Sequence, residues 1–212
     1  DRFPALSQQV YGKNLVYLDN AATSQKPDTV IALLNEMNSR TNANVHRAMY
    51  KLSDDTTALY ESARERVREF INAPTRENII FTSGTTASIN LVASSFGRRF
   101  LNKGDVVVIT GDSHHSNIVP WQLACKYAGA SVRVLPINDK GEWELDKFDD
   151  IVDSRVKIVA ATQISNVLGV INPIESLIGM AHAHNIPVLV DGAQGIVHTG
   201  VDVIAMGCDF YA

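Results

Sequence analysis

A chain of 212 residues with 45% hydrophobic content is long enough to bury a sizeable core in one large domain. Its net charge of -4 and pI near 5.8 supply no broad positive field, which argues against nucleic acid or an anionic membrane as a partner, and no apolar run reaches membrane-spanning length. Two cysteines, Cys125 and Cys208, are too few for a disulfide framework or a zinc cluster, so a reducing, cytoplasmic setting is the default.

In chain order, Asn14-Leu15-Val16-Tyr17-Leu18 reads as a short strand, followed by the small and polar Asp19-Asn20-Ala21-Ala22-Thr23-Ser24. Pro27 and Asp28 open a helix carried by Val30, Ile31, Leu33, Leu34 and Met37, which Asn38 and Ser39 close. Residues 42–50, with Val45-His46-Arg47, have no clear period and read as a loop. Residues 52–71 are helical again: Leu59, Val67, Phe70 and Ile71 are apolar, and Glu61, Arg64, Glu65 and Arg68 form charge pairs on a solvated face.

After Ala73-Pro74 the pattern alternates. Strands are predicted at 79–82, 106–110, 132–136, 157–161 and 187–190, with helices after Thr86, over about 117–127, over 145–152 and from Asn172-Pro173-Ile174-Glu175 to His184-Asn185. In the last of these Asn172 is the expected N-cap and Pro173 the first helical position. Trp121 and Tyr127 are expected in the core or an interface, and His182 and His184, two residues apart on a helix, point to different faces and do not suit a metal. The alternation predicts a three-layer α/β/α architecture around a mainly parallel (mixed) sheet with helices on both faces.

The polar residues of interest fall where predicted strands end. Asp191 closes the apolar run Pro187-Val188-Leu189-Val190, and ligands of open α/β sheets sit outside the carboxyl ends of their strands. A buried acid there needs a partner, and a cation in a bound cofactor would be one. Ser83-Gly84-Thr85-Thr86 lies between a strand and a helix, where free N–H groups and hydroxyls make an anion site; the plainer alternative is that Thr85 or Thr86 only caps the helix. No lysine follows the glycine as in a Walker loop, and no GxGxxG fingerprint is present. His114 follows another buried strand and could stack on a flat ligand or carry a proton, and Asn166 follows the next and could bond a ring hydroxyl. A flat, phosphorylated ligand with a cationic ring would use all four positions, a description that fits pyridoxal 5'-phosphate.

Six stretches then resemble one family: Tyr17-Leu18-Asp19-Asn20-Ala21-Ala22, Val45-His46-Arg47, Phe81-Thr82-Ser83-Gly84-Thr85-Thr86, His114-His115-Ser116-Asn117-Ile118-Val119-Pro120-Trp121, Ser165-Asn166-Val167-Leu168-Gly169 and Val190-Asp191-Gly192-Ala193-Gln194. In order and over essentially the whole chain they are similar to the cysteine desulfurases and selenocysteine lyases, class V aminotransferase-type enzymes of pyridoxal-phosphate fold type I. The resemblance implies that Gly84, Thr85 and Thr86 hold the cofactor phosphate, His114 stacks on its ring, Asn166 bonds the ring oxygen with Gln194 beside it, Asp191 pairs with the ring nitrogen, and His46 lies near the substrate. It departs at Ala87, where related sequences often carry an acid.

The resemblance also implies a homodimer that takes sulfur from L-cysteine, or selenium from L-selenocysteine, and passes sulfur as a persulfide to an acceptor protein for iron-sulfur cluster assembly. Other class V reactions, kynureninase-like or aminotransferase-like, and a non-catalytic domain for a phosphorylated ligand are the alternatives. On this reading residues 1–212 are the large cofactor-binding domain, residues 1–30 an arm or a segment of the small domain. The missing initiator Met and the apolar close at Asp209-Phe210-Tyr211-Ala212 lead us to expect a fragment. It would stop before the Schiff-base lysine, the nucleophilic cysteine and the C-terminal small domain, and be inactive by itself.

Overall fold

The computed structural model describes residues 2–212 and divides into two compact units, one running to Val67 and the other Arg68–Ala212. In the first unit Gln9–Val10 (β1) and Lys13–Asn14 (β2) pair antiparallel around a turn at Tyr11 and Gly12. The strand expected over 14–18 survives only at Asn14: Val16 and Leu18 are 76% and 89% exposed, and among the described residues no strand pairs with them. Apolar alternation favours extended backbone, but a strand needs a neighbouring edge to bond. Helix α1 (Asp28–Arg40) forms as predicted and buries none of its residues, so Val30, Ile31, Leu33 and Leu34 remain exposed. Helix α2 spans Lys51–Phe70.

The second unit contains α3 (Thr85–Phe100), β3 (Val106–Thr110), α4 (Val119–Ala128), β4 (Ser131–Leu135), α5 (Phe148–Ile151) and β5 (Val156–Thr162). It continues through α6 (Ile174–Ala183), β6 (Val188–Asp191), α7 (Gly195–His198), α8 (Val203–Met206) and β7 (Phe210–Tyr211). Its five strands run in the order β4-β3-β5-β6-β7, and every neighbouring pair is parallel.

Side chains alternate across a strand, and the two cores follow from that. Val106 and Val108 of β3, with Val188 and Val190 of β6, face Phe148 of α5, Leu177 and Ile178 of α6 and Met206 of α8. Val107, Ile109 and Leu189 face the opposite way, onto Ile89 and Ala93 of α3 and Trp121 and Cys125 of α4. In β5 the register shifts between Val106 and Val107 of its neighbour, so Val156 and Ile158, two residues apart, enter opposite cores. That irregularity lets one strand serve both layers without losing its place in the ladder.

Three local expectations change. Ile79–Thr82, expected as a strand, joins no sheet among the described residues, and Ile80 stands exposed. Asn172 does not cap α6: its Nδ2 donates to Asp112 Oδ2 and to the Thr162 carbonyl, and no side chain caps that helix. The amide is turned toward a partly buried carboxylate instead, a charge-assisted bond. Trp121 is fully buried, as expected, and Tyr127 is exposed, which removes the core from its two expected places, core or interface. His182 and His184 meet separate carboxylates, Asp209 at 3.0 Å and Asp149 at 3.2 Å. Among the described residues no helix is long and apolar enough to cross a membrane.

Candidate functional site

Strands β3, β5 and β6 lie side by side and end at one edge of the sheet, where Thr162 of β5 is in register with Asp191 of β6. The chain leaves these three strands through the segments bearing His114, Asn166 and Asp191 respectively.

Asp191 is the last residue of β6 and only 5% exposed, fixed there by the flanking apolar run that the sheet buries. Its Oδ1 accepts a hydrogen bond from the Ala193 N–H at 3.2 Å, and no ion pair to it is found among the described residues. Burial raises its pKa above the ordinary aspartate value; the Ala193 N–H and the neighbouring His114 oppose that, and the Asp112 carboxylate adds to it. An ionised carboxylate in this position is short of positive charge, and a cation placed beside it would be held.

His114 begins the short 3-10 turn His115–Asn117, which leads into α4. Its Nδ1 accepts from the Ser116 N–H and lies 2.8 Å from Ser116 Oγ, which leaves Nε2 to carry the proton of the neutral ring. The ring is exposed and stands edge-on to His115. Asn166 is exposed in the loop after β5, whose ends are joined by the Ile164 and Ile171 bridge. Gln194 occupies the residue before α7, partly buried.

Gly84, Thr85 and Thr86 form the start of α3. Gly84 takes φ 137, a conformation open to glycine, and no side chain caps the helix, so its first N–H groups are left for a ligand, with two threonines in the same first turn. Helix α3 packs against the 115–117 turn that follows His114. A buried carboxylate short of a cation and an uncapped helix N-terminus together suit a ligand with one cationic and one anionic end.

His46 belongs to the first unit. Its Nε2 pairs with Glu61 Oε1 at 3.1 Å, its ring stands edge-on to Tyr60, and its backbone takes the left-handed φ of 63 while its N–H donates to Thr57 Oγ1.

The sequence reading missed Gln163 and Tyr211. Tyr211 Oη donates to Gln163 Oε1 at 2.8 Å. A Cβ on Gly192 would overlap the Tyr211 ring, and one on Gly195 would overlap the Gln163 amide. These glycines therefore let two side chains press against the turn that carries Asp191 and Gln194. Gln163 follows β5 directly, as Gly192 follows β6, and that shared position at a strand exit is the signal that could have drawn attention to it.

The aminotransferase class-V family model matches residues 16–212. A probable cysteine desulfurase from Halalkalibacterium halodurans is 49% identical over 210 residues, which are 99% of this chain and 52% of that protein. A cysteine desulfurase from Klebsiella pneumoniae is 46% identical over 209 residues, 99% of this chain and 52% of the relative. The chain thus spans about half the length of these relatives. Among solved structures, a cysteine desulfurase from Escherichia coli in its S-sulfonic acid form superposes with a TM-score of 0.85 at 38% identity, over 99% of this chain and 51% of that one. The apo structure of a cysteine desulfurase from Thermococcus onnurineus gives a TM-score of 0.87 at 36% identity, over 93% of this chain and 48% of that one.

Proposed function

The chain belongs to the aminotransferase class-V family, whose members depend on pyridoxal phosphate, and on that premise we propose that it forms the cofactor-binding part of a cysteine desulfurase. The observation that carries the proposal is Asp191: a carboxylate buried at a parallel strand exit, with no ion pair to it among the described residues. The relatives named above, matched over 99% of this chain, support the choice of reaction.

When bound, pyridoxal phosphate supplies an electron sink for bond breaking at the α-carbon of an amino acid. The residues of this chain would bind and orient it. Asp191 holds a proton on the ring nitrogen, because a carboxylate of raised proton affinity in a buried site gains most from a charged hydrogen-bond donor. Gly84, Thr85 and Thr86 hold the phosphate at the α3 N-terminus. His114 would cover one face of the ring, and Asn166, with Gln194 beside it, would donate to its oxygen. His46, paired with Glu61, serves on the substrate side.

L-cysteine, or L-selenocysteine, is the proposed substrate and L-alanine the product, with sulfur leaving as an enzyme persulfide for an acceptor protein in iron-sulfur cluster assembly. Cys125 and Cys208 do not suit the thiolate that would take that sulfur: burial pushes both thiols up to about 11. Both are free thiols, which fits a reducing cytoplasmic setting. The protein is proposed to act as a homodimer, with residues 1–212 as the cofactor domain and residues 1–30 as an arm or part of a small domain.

The test is turnover by the full-length protein reconstituted with pyridoxal phosphate, L-cysteine and a thiol reductant. Alanine and sulfide should appear in equal amounts. Product from a different amino acid alone would overturn the reaction assigned.

A further inference from the structure

His114 is exposed, and its ring bonds to Ser116 and stands against His115, both on the same loop. What fixes the loop lies two residues before it. Asp112 Oδ1 accepts from Trp143 Nε1 at 2.8 Å, and Asp112 Oδ2 accepts from Asn172 Nδ2 at 2.6 Å. Each oxygen of the carboxylate is thus bound to an N–H from a different part of the fold.

Both donors are anchored. Trp143 is buried in the core on the α6 side of the sheet and bridges Ile137 across the turn after β4. Asn172 is buried too: its Nδ2 also donates to the Thr162 carbonyl at 2.8 Å, and its backbone N–H to the Gln163 carbonyl at 3.0 Å. Ser113 adds a second tie to the same strand end, its Oγ lying 3.0 Å from Thr110 Oγ1 and accepting from Thr162 Oγ1 at 3.5 Å. Thr162 in turn is the register partner of Asp191. A continuous path of hydrogen bonds and sheet pairing therefore joins the His114 loop to the strand that carries Asp191.

We propose that Asp112 is a positioning residue which, through its paired bonds to Trp143 and Asn172, sets the place of His114 relative to Asp191. The proposal rests on the reading of the sheet edge as a pyridoxal phosphate site. Loops drift unless neighbouring side chains lock them, and a ring that must lie on a flat ligand tolerates little displacement. Charge-assisted bonds to two buried donors are the stronger kind, and removing the carboxylate leaves both donors poorly matched.

The experiment uses the full-length protein with Asp112→Asn, Trp143→Phe and the double variant. In the apoprotein, hydrogen exchange of the amides of residues 113–116 should quicken in Asp112→Asn while the amides of β5 and β6 stay protected. With pyridoxal phosphate added, Asp112→Asn should raise the dissociation constant about tenfold and weaken the circular dichroism of the bound cofactor's visible band. Trp143→Phe, which keeps an aromatic side chain but loses the N–H, should move both readouts the same way by less, and the double variant should be no worse than Asp112→Asn alone. Unchanged exchange at 113–116 in Asp112→Asn overturns the proposal whether or not the cofactor binds. Quickened exchange with wild-type affinity and dichroism also overturns it, because the loop's place would then be immaterial to the ligand. Failure of the wild-type protein to bind pyridoxal phosphate would instead contradict the reading of the site.

Discussion

Tyr211, the last residue of β7, donates its hydroxyl to the Gln163 amide at the end of β5, and the two side chains meet over Gly192 and Gly195. The bond spans the strand between them, β6, at the point where it delivers Asp191. Tyr211→Phe leaves the buried Gln163 Oε1 without this donor. We expect a loss of about 1–3 kcal/mol in denaturant unfolding of the intact protein, the usual cost of a buried polar atom left unmatched. A loss near zero would mean that the bond does not hold the turn.

Gly195→Ala places a methyl group where the Gln163 amide lies. That amide is buried and already bound to Tyr211, so it cannot swing away freely. The variant should lose about 1–3 kcal/mol, as overpacked sites do. Adding Gln163→Ala should recover part of that loss, and the two effects should fall short of additive. Simple additivity of the two losses would show that they do not share a cause.

Asp191 sets a pH dependence. Its folded-state pKa lies above the unfolded value, chiefly through burial. The unfolded chain therefore gives up this proton first, so the contribution is fully present below the unfolded pKa and fades as pH rises through the folded one. In the apoprotein Asp191→Asn removes that penalty. Its thermal midpoint should equal or exceed that of wild type at neutral pH, with the difference shrinking on acidification through the raised folded pKa and gone by about pH 4, the unfolded value. A midpoint lower than wild type at pH 7 would contradict the charge argument.

The thiols offer a check without a cofactor. With both pushed up to about 11, Cys125 and Cys208 should react with a disulfide reagent at pH 8 far more slowly in the native protein than in denaturant. Fast native labelling at either would reopen it as a sulfur carrier.

Much of the fold was legible because burial on both faces leaves a plain mark. The continuous apolar runs of β3, β5 and β6 and the helices between them appear where periodicity puts them. Asp191 was legible for the same reason, as an acid ending such a run. Residues 14–18 and 79–82 were misread because apolar alternation does not say whether a neighbouring strand exists. Asn172 was misread as a cap because the partner that turns its amide away, Asp112, lies 60 residues away in the chain. The contacts of Tyr211 with Gln163 and of Asp112 with Trp143 are also long-range, 48 and 31 residues apart, and no local pattern encodes them.

The most direct measurement is a spectrophotometric titration of pyridoxal phosphate into the full-length apoprotein, comparing wild type with Asp191→Ala. The wild-type protein should develop a saturable visible band, and Asp191→Ala should bind at least about tenfold more weakly, the loss of ~1.4 kcal/mol or more from a missing charge partner. No band in the wild-type protein, or equal affinity in the two, would contradict the assignment of Asp191 and of the sheet edge around it.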